Sequence, residues 1–215
     1  MLRSRATGTP WHELDRPRLH VPFEEMAAVT VIATLPSWGA TTWIDQQRRL
    51  LSRHGQARTR LVGSRTGARR ALTSEALADV DVLLIDDVPL TVGDDLWNAI
   101  SRAARVSDAR IVVWSLDCPP PMEGVDLRVL TEADLALEAS EVSELALLND
   151  VQCPPGMIST LSTRYRGNPT LTRVRLQRLA TAGQLRAFSN PDDRLDVHLA
   201  NETFALGAGT LTTAW

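Results

Sequence analysis

The residues best suited to chemistry form a short loop between an apolar stretch and a helix-like stretch. The segment reads Thr34-Leu35-Pro36-Ser37-Trp38-Gly39-Ala40-Thr41-Thr42. A glycine followed two residues later by a threonine, at the start of a helix, presents backbone N–H groups and a hydroxyl to an anion. The segment therefore predicts a degenerate phosphate-binding loop, in which Thr41 would ligate the magnesium ion that accompanies the phosphates. The alternative is an ordinary strand-to-helix turn with a threonine cap.

Two carboxylates end the most apolar stretch of the chain. Asp86 and Asp87 follow directly after Val82-Leu83-Leu84-Ile85. In phosphoryl-transfer proteins an acidic residue at such a strand end helps to hold magnesium, and a neighbouring one orients the attacking water. The sequence predicts Asp86 as a magnesium ligand if nucleotide binds, and Asp87 as the catalytic group if the protein is active. The alternative is a solvated strand end that is only a relic of such a site.

The loop lacks the cation that phosphate-binding loops place before the threonine. Ala40 holds that position, and all 23 basic residues of the chain are arginines. A charge-assisted hydrogen bond contributes about 1.5–3 kcal/mol, so its loss lowers affinity roughly tenfold to a hundredfold. Catalysis suffers more, because the cation stabilises charge that develops in the transition state. We predict weak nucleotide binding without efficient hydrolysis, no required cofactor, and ATP with magnesium as the candidate ligand.

The stretches around these residues alternate between strand-like and helix-like patterns. The predicted strands are Val29–Leu35, Arg58–Val62, Asp81–Asp87, Arg110–Ser115 and Val125–Leu130. The predicted helices between them are Thr41–His54, Ser74–Ala78 with Ser74 as its cap, and Asp94–Arg105. This alternation predicts an α/β fold, with a parallel sheet flanked by helices. Ligands of such sheets bind at the carboxyl ends of the strands, where the loop, Asp86 and Ser115 fall.

Beyond Leu130 the pattern is helical. A capping signal at Thr131-Glu132-Ala133-Asp134 precedes helical spacing, and further helices are predicted at Gly156–Tyr165 and Thr170–Leu179. We therefore divide the chain into an arm with little regular structure (1–24), an α/β domain (25–130), a small helical subdomain (131–188) and a tail (189–215). The tail contains a weak strand pattern over Leu195–Leu199 and is too short for a DNA-binding domain.

In their order and spacing, six motifs resemble the ATPase module of STAND-class, AAA-like P-loop NTPases, in particular that of LuxR-type, maltose-regulator-like transcriptional activators. The motifs are Arg16-Pro17-Arg18-Leu19, Leu35–Thr42, Leu83–Asp87, Val112–Ser115, Leu127–Leu135 and Gly167-Asn168-Pro169. The resemblance implies a P-loop NTPase-like fold in which Ser115, Gly167 and Pro169 join the loop around the nucleotide. The chain departs from the class at Ala40 and at Leu116, where an arginine is usual.

Three functions are compatible with these residues. The leading hypothesis is a catalytically degenerate module that regulates or interacts, through a protein partner or through self-association. The second is a weak ATP-binding switch with slow hydrolysis, in which Arg16 or Arg18 of the arm replaces the missing lysine. The third is a DNA-associated regulator that uses a basic helical face formed by Arg164, Arg166, Arg173, Arg175 and Arg178. The net charge of −3 weighs against direct DNA binding.

The composition limits the remaining classes. The apolar runs are shorter than a membrane span, and the N-terminal residues lack the apolar core of a secretory signal. Cys118 and Cys153, predicted as buried or inert thiols, fit a reducing cytoplasm. Four scattered histidines and two distant cysteines predict no metal cluster. The placement of four tryptophans within strand and helix patterns predicts core packing rather than base stacking, namely Trp38, Trp43, Trp97 and Trp114.

Overall fold

A computed structural model describes residues 12–53, 55, 57–86, 93–153 and 155–183. The chain divides into two compact units, Met1–Ala180 and Thr181–Trp215. The elements described below lie in the first unit, apart from the last turn of one helix. Asp87 and the predicted tail strand fall outside the described residues, and the predicted boundaries at residues 24, 130 and 188 stay predictions.

Five parallel strands form one sheet. They are β1 (Val29–Ala33), β2 (Thr59–Val62), β3 (Val82–Ile85), β4 (Arg110–Ser115) and β5 (Leu127–Leu130). Their spatial order is β2-β3-β4-β1-β5, so β1 and β3 both neighbour β4 at the centre. All five predicted strands are present and parallel, which confirms the predicted α/β sheet.

Burial explains why the central strands carry unbroken apolar runs. Every residue of β1 and β3 is buried, because helices cover both faces of the sheet. The edge strands β2 and β5 each expose their middle residues instead. Alternate side chains enter two separate cores, so Val31 and Leu83 face one layer of helices whereas Ile32 and Leu84 face the other.

Eight α-helices accompany the sheet in the described part of the chain. They are α1 (Ala40–Arg53), α2 (Arg65–Ala71), α3 (Ser74–Leu77), α4 (Asp94–Val106), α5 (Glu132–Leu135), α6 (Ala139–Leu148), α7 (Pro155–Tyr165) and α8 (Pro169–Gly183). The sequence analysis missed α2, which contains Gly67 and is capped by Ser64. It also placed the cap of α3 one residue late, because the hydroxyl of Thr73 accepts the N–H of Ala76. None of the described helices combines the length and apolarity needed to cross a membrane.

Helices α6 to α8 pack around a third core of their own, which also takes Leu14 from the arm. Where the structure describes it, from residue 12 onward, the arm region forms two single 3-10 turns, Pro17–Leu19 and Phe23–Glu25. It is nevertheless tightly held, because the indole of Trp43 donates to the carbonyl of Leu19 at 3.1 Å. The arm thus contacts both α1 and the helical subdomain.

Candidate functional site

The predicted phosphate-binding loop connects β1 to α1. Ser37 and Gly39 adopt left-handed backbone conformations, with φ of 75° and 82°. The first hydrogen bond of the helix runs from the N–H of Trp43 to the carbonyl of Gly39 at 2.9 Å. Among the described residues, the N–H groups of Ala40, Thr41 and Thr42 find no acceptor, as is usual for the first turn of a helix. These N–H groups and the helix dipole suit an anion.

The structure brings Thr41 and Asp86 together. The hydroxyl of Thr41 donates to Oδ1 of Asp86 at 3.2 Å, across 45 residues of sequence. Asp86 is buried, with 8% of its surface exposed, at the carboxyl end of β3. Hydroxyl and carboxylate oxygens are ligand types that magnesium takes together with phosphate oxygens and waters.

A cavity of about 200 Å³ opens in front of the loop. Its wall consists of Leu35, Ser37, Gly39, Ala40, Thr41, Thr42, Trp114 and Thr170. Ala40 is 4% exposed and packs on its inner side against the core beneath α1. Ala40 therefore places a methyl group where a phosphate-binding loop has an ammonium group, and the wall residues that the structure describes include no basic side chain.

Three residues of this wall were not predicted as site residues, namely Leu35, Trp114 and Thr170. Trp114, one position before Ser115, is half-buried, and its indole N–H donates to the carbonyl of Thr34 at 3.1 Å. Thr170 follows Pro169 at the start of α8. Their positions beside two predicted site residues are the signal that was available in the sequence.

Other predicted residues lie behind the cavity rather than on it. Thr34 is 1% exposed, and its N–H donates to the carbonyl of Ser115 at 3.1 Å. The Ser115 hydroxyl accepts the N–H of Asp117 at 3.1 Å, so it caps its own turn. Pro36 and Trp38 are also outside the wall. The bond between Thr34 and Ser115 holds β1 against β4, and the predicted role of all four residues as nucleotide contacts stays a prediction.

The predicted turn at Gly167 and Pro169 does reach the loop. A Cβ atom built on Gly39 would lie 3.6 Å from Cγ of Pro169, which is ordinary van der Waals contact. Gly167 has a φ of 72°, and its carbonyl accepts the N–H of Leu137 at 2.7 Å. The start of α8 is thereby fixed over the first residues of α1.

A second cavity, of about 90 Å³, adjoins the first and shares Gly39, Thr42 and Thr170 with it. Its apolar wall comes from the arm, α1 and the helical subdomain and consists of Leu14, Trp43, Leu137, Leu145 and Pro169. Arg173 of α8 also lines this cavity and is exposed. The loop between β1 and α1 is thus bordered by a recess with a largely apolar wall, and apolar walls with a few polar groups are typical of small-molecule sites.

The arm arginines are engaged elsewhere. Arg16 donates to Glu141 at 3.1 Å and to the carbonyls of Leu135 and Ala136 at 2.9 and 2.8 Å. Arg18 donates to the same Glu141 carboxylate at 2.8 Å. Arg16 also lines the second cavity, but its guanidinium donors and those of Arg18 have partners at Leu135–Glu141, so the hypothesis that one of them replaces the lysine stays a prediction.

The predicted basic face of the helical subdomain is interrupted. Arg175 is buried, and Arg164, Arg175 and Arg178 each interact with other groups of the protein. The cysteines differ from each other: Cys118 is exposed, so it is not a buried thiol and its inertness stays a prediction, whereas burial raises the pKa of the half-buried Cys153 thiol. Trp43 and Trp97 lie in the core, as predicted. Among the described residues, no three His, Cys, Asp or Glu side chains gather into a metal site.

Comparison with known proteins supports the fold. No protein-family model matches the sequence, and no curated protein matches it. A STAND protein with a tetratricopeptide repeat sensor from Pyrococcus horikoshii is similar, with a TM-score of 0.57 and 14% identity, over 90% of this chain and 33% of that one. Domain III of the replication initiation protein DnaA from Thermotoga maritima is also similar, at 14% identity over 75% of this chain and 80% of that one, with a TM-score of 0.46. AMPPCP-bound DnaA from Aquifex aeolicus has 14% identity and a TM-score of 0.45, over 78% of this chain and 62% of that one.

The first similarity covers nearly the whole chain and shows a P-loop NTPase-like fold. The chain spans about a third of the length of the Pyrococcus horikoshii protein. The sheet order, the loop between β1 and α1, and Asp86 at the end of β3 agree with that fold.

Proposed function

We propose that this chain is a catalytically degenerate, STAND-like P-loop module that binds a magnesium-bound nucleoside phosphate weakly and acts as a regulatory or protein-interaction unit in the cytoplasm. A relation to LuxR-type transcriptional regulators is part of this proposal, on the motifs given above. The module would act on a protein partner or on a second copy of itself, and direct binding to DNA and membranes is not expected.

One observation carries the proposal. Thr41 and Asp86 are paired at 3.2 Å at the start of α1, whereas Ala40 leaves the same cavity without a cation. Oxygen ligands for magnesium and backbone donors for phosphate are thus retained. The lysine that would stabilise the charge of the transition state is missing, so weak nucleotide binding is expected to be retained whereas nucleotide hydrolysis is expected to be lost.

Replacing Ala40 by lysine tests the proposal. Titration of a fluorescent ATP analogue with magnesium is expected to show weak binding to the natural chain. It should show roughly tenfold to hundredfold tighter binding to Ala40→Lys, because an ammonium adds a charge-assisted hydrogen bond. Ala40 lines the cavity but is 4% exposed, so the stability of Ala40→Lys is measured beside its affinity.

Ala40→Met is the matched control, because methionine adds similar length without charge. It should not tighten binding, and Asp86→Asn should remove the magnesium dependence. Failure of Ala40→Lys to bind, in a protein that unfolds at the same denaturant concentration as the natural chain, would contradict the nucleotide site.

A second candidate, a slow ATPase switch, is favoured by Arg173. This arginine lines the recess that also includes Gly39 and Thr42, and it forms no hydrogen bond or ion pair within the described residues. An arginine from α8 would supply part of the charge that Ala40 does not.

In this case Arg173→Gln is expected to weaken binding of the ATP analogue about tenfold and to abolish magnesium-dependent phosphate release. Arg166→Gln, an exposed arginine outside both cavities, serves as the control and should change neither. Undetectable phosphate release from the natural chain, over hours and at high protein concentration, would exclude the slow ATPase switch and favour the degenerate module.

A further inference from the structure

A carboxylate of the helical region lies on the phosphate-binding loop. Oε1 of Glu132, the first residue of α5, accepts the backbone N–H of Leu35 at 3.1 Å. Leu35 belongs to the wall of the 200 Å³ cavity, so this contact places a negative charge at the margin of the proposed phosphate site.

Glu132 is available for this contact because other residues cap its helix. The N–H and the hydroxyl of Thr131 both donate to Oδ2 of Asp134, at 2.7 and 2.8 Å, which closes the start of α5. Within the described residues Glu132 forms no ion pair, and its hydrogen-bond partner is the Leu35 N–H. Its charge is therefore not neutralised by an arginine of the described chain.

The charge balance at the cavity follows from these contacts. Asp86, which accepts a hydrogen bond from Thr41 of the wall, adds a second carboxylate next to the cavity, and the described residues of the wall include no arginine. Since two like charges a few ångströms apart repel each other, an incoming phosphate loses affinity with every additional negative charge it carries. Magnesium offsets part of that repulsion and leaves a triphosphate more negative than a diphosphate.

We propose that Glu132 is a charge-selecting residue of this site, which disfavours nucleoside triphosphate and thereby favours the less charged diphosphate. The inference rests on the proposed function, because it concerns the same cavity. It differs from a purely structural role for Glu132, in which the carboxylate only holds α5 to the loop.

The test compares Glu132→Gln with Glu132→Ala in the full chain. Glutamine keeps an oxygen that accepts the Leu35 N–H and removes the charge, whereas alanine removes both. Binding of fluorescent ATP and ADP analogues with magnesium is measured at low and high salt. Glu132→Gln should tighten ATP-analogue binding about fivefold and ADP-analogue binding less, and the gain should shrink at high salt because charge effects near the surface are screened.

The outcomes separate the two proposals when the same substitutions are repeated in the Ala40→Lys background. If Ala40→Lys binds tightly and Glu132→Gln changes neither affinity, the charge-selecting role is overturned and the nucleotide site stands. Loss of binding in Glu132→Ala, without any gain in Glu132→Gln, would also overturn it in favour of the structural role. If no variant binds, the proposed function itself fails and this inference fails with it.

Discussion

Replacing Gly167 by alanine is expected to lower the free energy of unfolding by about 3 kcal/mol, through backbone strain and a collision that cannot relax. Gly167 has a φ of 72°, a conformation that an alanine adopts only at a cost. The added Cβ would lie 2.7 Å from the carbonyl oxygen of Leu137, 2.8 Å from its nitrogen and 2.8 Å from Cβ of Ala136. Two of these three contacts are backbone atoms, which cannot rotate away.

Gly124→Ala is the matched control for this experiment. Gly124 has a φ of 70°, and a Cβ atom there meets nothing within 4 Å. Urea unfolding followed by tryptophan fluorescence should therefore show a much smaller loss for Gly124→Ala, from backbone strain alone. Equal losses in the two variants would show that the close packing of Gly167 on Leu137 is not what makes that position sensitive.

The same substitution should also affect the proposed nucleotide site. Gly167 lies two residues before Pro169, whose ring rests against Gly39, and its carbonyl binds the N–H of Leu137. An alanine there must displace the start of α8 from the loop. Folded Gly167→Ala protein is thus expected to bind the ATP analogue more weakly even in the Ala40→Lys background, where binding is strong enough to measure.

The fold was largely readable from local sequence, because its signals are local. Continuous apolar runs such as that of β3 mark strands buried on both faces, and the Thr131–Asp134 capping box marks the start of α5. The sequence analysis missed α2 because Gly67 and three arginines leave it no apolar stripe. That helix is stabilised by its cap and by the burial of Ala68 and Ala71. Because alanine side chains are small, their spacing gives only a weak hydrophobic pattern in the sequence.

The site was only partly readable, because half of it depends on contacts between distant segments. The loop and Asp86 follow from a motif and from the rule that parallel strands end at one edge. Glu132 on the Leu35 N–H, 97 residues away, follows from no motif. The occupation of Arg16 and Arg18 by Glu141 likewise depends on the packing of the arm against the helical subdomain, which hydrophobic periodicity does not reveal.

The second large effect is expected from Glu141→Ala. Glu141 is buried between Arg16 and Arg18, and Arg16 is itself 8% exposed. Removing the carboxylate leaves a buried guanidinium with two carbonyl partners and no opposite charge at its side. Loss of one partner from such a pair costs about 3–5 kcal/mol, so Glu141→Ala should lower the free energy of unfolding by about 3 kcal/mol at pH 7. Arg58→Ala, which breaks an exposed ion pair with Asp81, should change it little.

The pH dependence of unfolding distinguishes this charge effect from a packing defect. Burial alone would raise the pKa of Glu141, but hydrogen bonds from Arg18, Arg16 and the Glu138 N–H outweigh it and hold the pKa below the ordinary 4.5. A carboxylate whose pKa is lower in the folded state stabilises fully above its unfolded pKa, and that stabilisation disappears as the pH falls through the folded value.

The free energy of unfolding of the natural chain should therefore fall more steeply than that of Glu141→Ala as the pH is lowered from 6 to 3. The difference between the two free energies should narrow over this range. If both chains lost stability in parallel, the contribution of Glu141 would be its packing and not its charge. Glu141, Arg16 and Arg18 would then hold the arm on the helical subdomain through packing and not through their charges. A narrowing difference would instead show that the ion pairs with Arg16 and Arg18 keep the arm, α5 and α6 together beside the proposed nucleotide site.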